Sequence, residues 1–142
     1  MFYKKKYEDR LTEWRNFRTT LENSDDPIQE TINYYSNIPL VKFQCDPYDR
    51  ETWPSAWETI QENVYCEFVK LLGICYTLQL TDCLKHETFE IHITHDLESS
   101  EIHYLLYVGD RVVGFNGESH VTRNGLPLSL RSQHVYVMPP LQ

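Results

Sequence analysis

Between Tyr7 and Leu21 the residues Tyr7, Leu11, Trp14, Phe17, Arg18 and Leu21 recur at helical spacing, and Glu8, Asp9, Glu13 and Arg15 fall on the opposite side. That pattern predicts an amphipathic helix. Asn23-Ser24-Asp25-Asp26-Pro27 breaks it and starts a second, with Asp26 as N-cap, Pro27 at the first helical position and Gln29 where a capping-box partner falls. Ile28, Ile32 and Tyr35 make the buried side of this short helix, which Pro39 ends. Residues 40–53 predict a connector with a turn at Asp46-Pro47-Tyr48-Asp49. Trp57, Ile60, Val64, Phe68, Leu71 and Leu72 then keep helical spacing, so a single third helix opening at Trp53-Pro54 and stopping at Gly73 is expected.

Beyond Gly73 the period drops to two. Tyr76, Leu78 and Leu80 alternate with Cys75, Thr77 and Gln79, as a half-buried strand requires. Phe89, Ile91 and Ile93 alternate with Glu90, His92 and Thr94, and two apolar runs between Tyr104 and Phe115 flank a Gly109-Asp110 hairpin signal. Asn116-Gly117 and Asn124-Gly125 mark further turns, and Val135 and Val137 a last strand before Pro139-Pro140. The fold class expected is α+β: about three N-terminal helices packed on one face of a C-terminal antiparallel β-meander. With 142 residues and no linker or repeat, one domain over 1–142 is expected, with arm-like ends at 1–6 and 138–142.

Charge narrows the function. The chain nets −8, but residues 24–101 net −11 between ends that together net +3. A duplex-binding surface needs clustered cations, and the sole cluster is Lys4, Lys5 and Lys6, so nucleic acid is not an expected partner. No apolar run reaches the length of a membrane span, and no apolar region follows the N-terminal lysines as in a signal peptide. Cys45, Cys66, Cys75 and Cys83 show no C-x-x-C spacing and fit reduced structural thiols in a cytosol.

Candidate chemistry is sparse. Cys66 with His103, oriented by Asp110 or Asn116, could form a thiol nucleophile pair. A Cys deep in a helix beside Glu67 lacks the cation or helix N-terminus that lowers a thiol pKa. His92, Glu90 and a cross-strand His103 could be brought together around a metal, but nothing in the spacing demands it, and no metal or cofactor is expected. Asp46, Asp49 and Glu51 beside Trp53 and Trp57 read as a solvated turn next to indoles. Five glycines leave no phosphate-cradling loop. What remains is recognition surface: Tyr3, Tyr7, Tyr48, Tyr136 and Val137 are the candidate interface residues, since tyrosines exceed what one small core would bury with satisfied hydroxyls. The tail from His134 to Pro140 either completes its own sheet or adds a strand to a neighbour's.

Asp46-Pro47-Tyr48, Trp53-Pro54-Ser55-Ala56-Trp57-Glu58, Tyr65-Cys66 and Tyr76-Thr77-Leu78-Gln79-Leu80 resemble small proteins of contractile-tailed phages of marine cyanobacteria. The similarity spans residues 10–82 and leaves the C-terminal 40 residues aside. It implies a phage product in the bacterial host cytoplasm or the virion, with no known catalytic residue. The expected function is therefore non-enzymatic: protein–protein contact as a virion structural or assembly component, in oligomers or with other phage proteins. The alternatives are a Cys–His hydrolase or acyl transferase using Cys66 and His103, and an acidic host-takeover protein that binds a bacterial enzyme.

Overall fold

A computed structural model of the chain describes residues 6–141. Four helices precede a five-stranded antiparallel sheet, so the protein is α+β. The chain divides into two compact units, Met1–His86 with Leu141–Gln142, and Glu87–Pro140.

In the first unit, α1 (Tyr7–Leu21) and α2 (Pro27–Tyr35) follow the predicted spacing. Asp26 caps α2 by accepting from the Gln29 N–H at 3.1 Å, while the Gln29 side chain donates to Asn33 Oδ1. Trp14 and Leu21 are buried as the stripe requires, and so is Arg10, which the apolar pattern passes over. Its Nε and Nη2 donate to the carbonyls of Ile60 (2.9 Å) and Gln61 (3.0 Å). Those carbonyls end the next helix and lack intrahelical partners, so a cation satisfies both their hydrogen bonds and the dipole.

The single third helix expected from the sequence is two. α3 (Ala56–Glu62), opened by a Ser55/Glu58 capping box, stops where Asn63 turns left-handed at φ 53°. Asparagine takes this conformation more readily than most residues. Tyr65 is then buried, its hydroxyl donating to Thr59 O at 3.2 Å, and Val64 is left outside. α4 (Glu67–Gln79) restarts with Cys66 as N-cap and runs through Gly73. The strand expected at 75–80 is therefore the end of a helix. Ile74, Cys75, Tyr76, Thr77, Leu78 and Gln79 are all buried, and a helix buried all round carries no readable period.

Gly73 does not stop α4; it gives the Tyr35 ring room. A Cβ there would lie 2.9 Å from Tyr35 Cε1. The ring is held because Thr77 Oγ1 donates to the Gly73 carbonyl (2.7 Å) and accepts from both Trp14 Nε1 (2.9 Å) and the Tyr35 hydroxyl (3.0 Å). A hydroxyl has one proton, so Tyr35 must be the donor in its bond.

In the second unit, β1 (Phe89–Asp96), β2 (Ile102–Val108), β3 (Arg111–Asn116) and β4 (Ser119–Thr122) form the expected up-and-down run, with Gly109 at φ 56° in the β2–β3 turn. β5 (Leu130–Val137) departs from the expected meander. The sheet order is β4-β3-β2-β1-β5, so β5 pairs with β1 at the far side. Residues 123–129 must therefore cross the sheet. Leu126 and Leu130 pack on Leu105, Tyr107 and Val112 in doing so, together with Phe115 and Val121. The residues that share β1's other face, Phe89, Ile91, Ile93, Leu106 and Val108, are buried too.

Thr77→Val should leave the Trp14 and Tyr35 donors buried without an acceptor. A loss of about 2–4 kcal/mol is expected in urea unfolding, with Thr77→Ser retaining most of the stability. Gly73→Ala gains up to about 1 kcal/mol of helix propensity but presses on a ring that hydrogen bonding holds still. A crowding cost of about 1–3 kcal/mol should make the variant less stable by the same measurement.

Candidate functional site

Cys66 lies in the first unit, and not deep in a helix as the single-helix reading requires. Its Sγ accepts the Val69 N–H at 3.4 Å as the cap of α4, and its own N–H donates to Gln44 Oε1 at 2.7 Å. Burial pushes the Cys45 thiol up to about 11, and it raises the Cys75 and Cys83 thiols as well. His103 and Asp110 belong to the second unit. The His103 ring sits 5.7 Å from Phe115, with Nε2 3.8 Å from a Glu101 carboxylate oxygen. The Asp110 carbonyl accepts from the Arg123 N–H at 3.0 Å.

The acidic turn is built from its own carboxylates. Asp46 Oδ1 accepts from the Tyr48 N–H and Asp49 Oδ1 from the Glu51 N–H, capping the 3-10 turn Arg50–Thr52. Trp53 Nε1 donates to Asp46 O at 3.1 Å. Among the described residues, no group of three or more His, Cys, Asp or Glu is placed to hold a metal.

Tyrosine burial goes further than the composition argument allowed. Tyr35, Tyr65, Tyr76 and Tyr107 are all core residues, and Tyr76 donates to Pro54 O at 2.7 Å. Of the candidate interface residues, Tyr48 and Val137 are exposed. Tyr7 and Tyr136 are half-buried, Tyr7 within cation–π range of Arg10 and Tyr136 stacked on His134. Tyr3 lies outside the described residues. Met138 is buried and donates to Phe89 O at 2.8 Å, so the tail begins as a continuation of the β1 pairing.

Two features escape a sequence reading. The first is an apolar ridge in the first unit. Residues 40–44 are clamped beside 65–66: the Val41 N–H donates to Tyr65 O at 2.9 Å, and Gln44 holds the Cys66 N–H. Between those bonds Phe43 is 79% exposed, and Leu40, Val41 and Val64 are also exposed. Brief alternation of Val41 and Phe43 was the available signal, but it cannot tell a covered strand from an uncovered one.

The second is a polar cluster on one sheet face of the second unit. His92 is buried, with Nε2 2.9 Å from Glu90 Oε1 and Nδ1 2.7 Å from Ser132 Oγ. Its ring stacks on Tyr107 at 3.8 Å. Arg123 lies over the other partner of that stack, its guanidinium 4.7 Å from the Tyr107 ring centre. It also reaches within 3.8 Å of Glu90 and donates from Nε to Gly109 O at 2.8 Å. Burial lowers the His92 pKa, opposed by the bond and charge of Glu90 and assisted by Arg123. Glu90 and His92 are neighbours in sequence; Ser132 arrives only through the crossover to β5.

No known family model matches the chain, and no curated protein is similar to it. Among the described residues, no helix is long and apolar enough to cross a membrane.

The lowered His92 pKa has a sign that can be checked. Below about pH 6.5 the unfolded chain takes up a proton that folded His92 resists, so stability present at neutral pH is lost on acidification. Melting temperature should fall from about pH 6.5 to 5, and His92→Gln should flatten that part of the profile.

Proposed function

We propose that this protein is non-enzymatic in its main role and acts through protein–protein contacts, as a virion structural or assembly component of a contractile-tailed phage. The observation that carries this reading is the ridge of Leu40, Val41, Phe43 and Val64. A flexible loop could fold its apolar side chains away from water. This segment is instead tied down on both sides, so its apolar groups stay presented, and burying them against another protein is favourable. The phage origin is proposed on the resemblance read from residues 10–82 of the sequence.

A second reading, host-directed binding, is favoured by charge. Residues 45–67 hold six carboxylates against one arginine, which suits a basic partner whose binding weakens with salt.

Phe43→Ser separates contact from folding. An exposed side chain lies outside the core, so stability should stay within about 0.5 kcal/mol of the parent. Mass spectrometry of purified particles should find the parent chain at a fixed copy number and the variant strongly depleted. Absence of the parent chain from particles would reject the virion role.

A further inference from the structure

We propose that Ser132 is a nucleophile, activated by His92 and Glu90, that accepts an acyl group from short uncharged carboxylic esters. The second unit would then carry an esterase-type site separate from the contact ridge.

The argument begins with protons. A carboxylate can only accept, so the 2.9 Å bond between Glu90 Oε1 and His92 Nε2 places the ring proton on Nε2. Nδ1 is then an unprotonated acceptor 2.7 Å from Ser132 Oγ, the position from which a base removes the hydroxyl proton. Burial of the ring favours its neutral form, which is the basic one. Stacking on Tyr107 fixes the ring plane, so base and hydroxyl are held in one geometry. Nucleophile, base and orienting carboxylate thus stand in hydrogen-bonded sequence, the arrangement by which such sites are recognised irrespective of fold.

Ser132 reaches this face through a local irregularity. Val135 lies opposite His92, so regular alternation would set residue 133 on the same face, opposite Thr94. The register shifts between Ile93 and Thr94, and Ser132 pairs with Thr94 instead. Bulges of this kind re-aim side chains and recur beside active sites.

Thr94 supplies an independent observation. It is 1% exposed, and its Oγ1 has no hydrogen-bond partner among the described residues. A buried orphan hydroxyl costs stability and calls for an explanation. Directly across the strand pair from Ser132, it is suited to donate to the oxyanion that forms when Ser132 attacks. Half-exposed Val135 beside His92 offers apolar support for a short acyl chain.

The step balances. Ser132 Oγ bonds to the acyl carbon as its proton passes to His92 Nδ1. The ester C–O bond breaks, and the leaving alcohol takes that proton. Water, deprotonated by the same nitrogen, then releases the carboxylic acid and restores Ser132.

The test uses the full chain with diisopropyl fluorophosphate, which phosphorylates an activated serine with loss of fluoride, and p-nitrophenyl acetate. One label located at Ser132 by peptide mapping is expected, together with ester turnover. Ser132→Ala should abolish both. His92→Gln and Glu90→Gln should slow both at least tenfold while keeping the parent's circular dichroism. Glu90→Gln keeps the side chain's shape, so it carries the test if His92→Gln unfolds. An unlabelled parent chain, labelling on another serine, or labelling of folded Glu90→Gln at the parent rate would overturn the proposal.

Discussion

The Thr77 hydroxyl is the point on which the helical unit depends. One oxygen accepts from Trp14 and Tyr35 and donates to the Gly73 carbonyl, so α1, α2 and α4 meet at a single buried atom. Each partner is a buried polar group with no water to turn to, and the geometry leaves one way of satisfying all three. Desolvation also raises the Tyr35 pKa, keeping its hydroxyl in the protonated form that the bond requires. Apolar packing would tolerate sliding of one helix on another, whereas this junction does not. Gly73 belongs to the same device, because any side chain there would displace the Tyr35 ring and with it the hydrogen bond.

The sheet unit solves a different problem. β4 and β5 lie at opposite ends of the strand order, so the intervening segment has to traverse a face. It does so as an apolar strap, Leu126 and Leu130 covering Leu105, Tyr107 and Val112. Arg123 anchors the start of the strap through Gly109 O, the Tyr107 ring and the neighbourhood of Glu90. The Glu90–His92–Ser132 cluster follows from this route. A simple meander would have paired β5 with β4 and put three strands between Ser132 and β1.

The ridge at residues 40–43 and the Ser132 cluster place different demands on the chain. The ridge needs only apolar area held in fixed position, which two backbone-directed hydrogen bonds provide. The cluster needs proton positions, and these come from the acceptor-only character of a carboxylate and from burial of an imidazole. The proposed contact and the proposed chemistry thus draw on separate residues in separate compact units.

Much of the fold was legible in local pattern. The amphipathic stripe of α1, the Asp26-Pro27 start of α2, the alternation of β1 and the Gly109-Asp110 turn depend on spacing and backbone preference, which neighbouring residues carry. The break at Asn63, the passage of α4 through Gly73 and the helical state of residues 74–79 were not legible. Burial on every side erases hydrophobic period over residues 74–79, where Tyr35 packs on Gly73 from a distant part of the chain, and the break at Asn63 is held by nearby Tyr65 and by Arg10 of α1. Of the candidate site, Glu90 and His92 sharing a face is a property of strand periodicity and could be read directly. Ser132 joining them required the crossover and the bulge, because pairing between positions forty residues apart is decided by the route of the whole chain and not by any local preference.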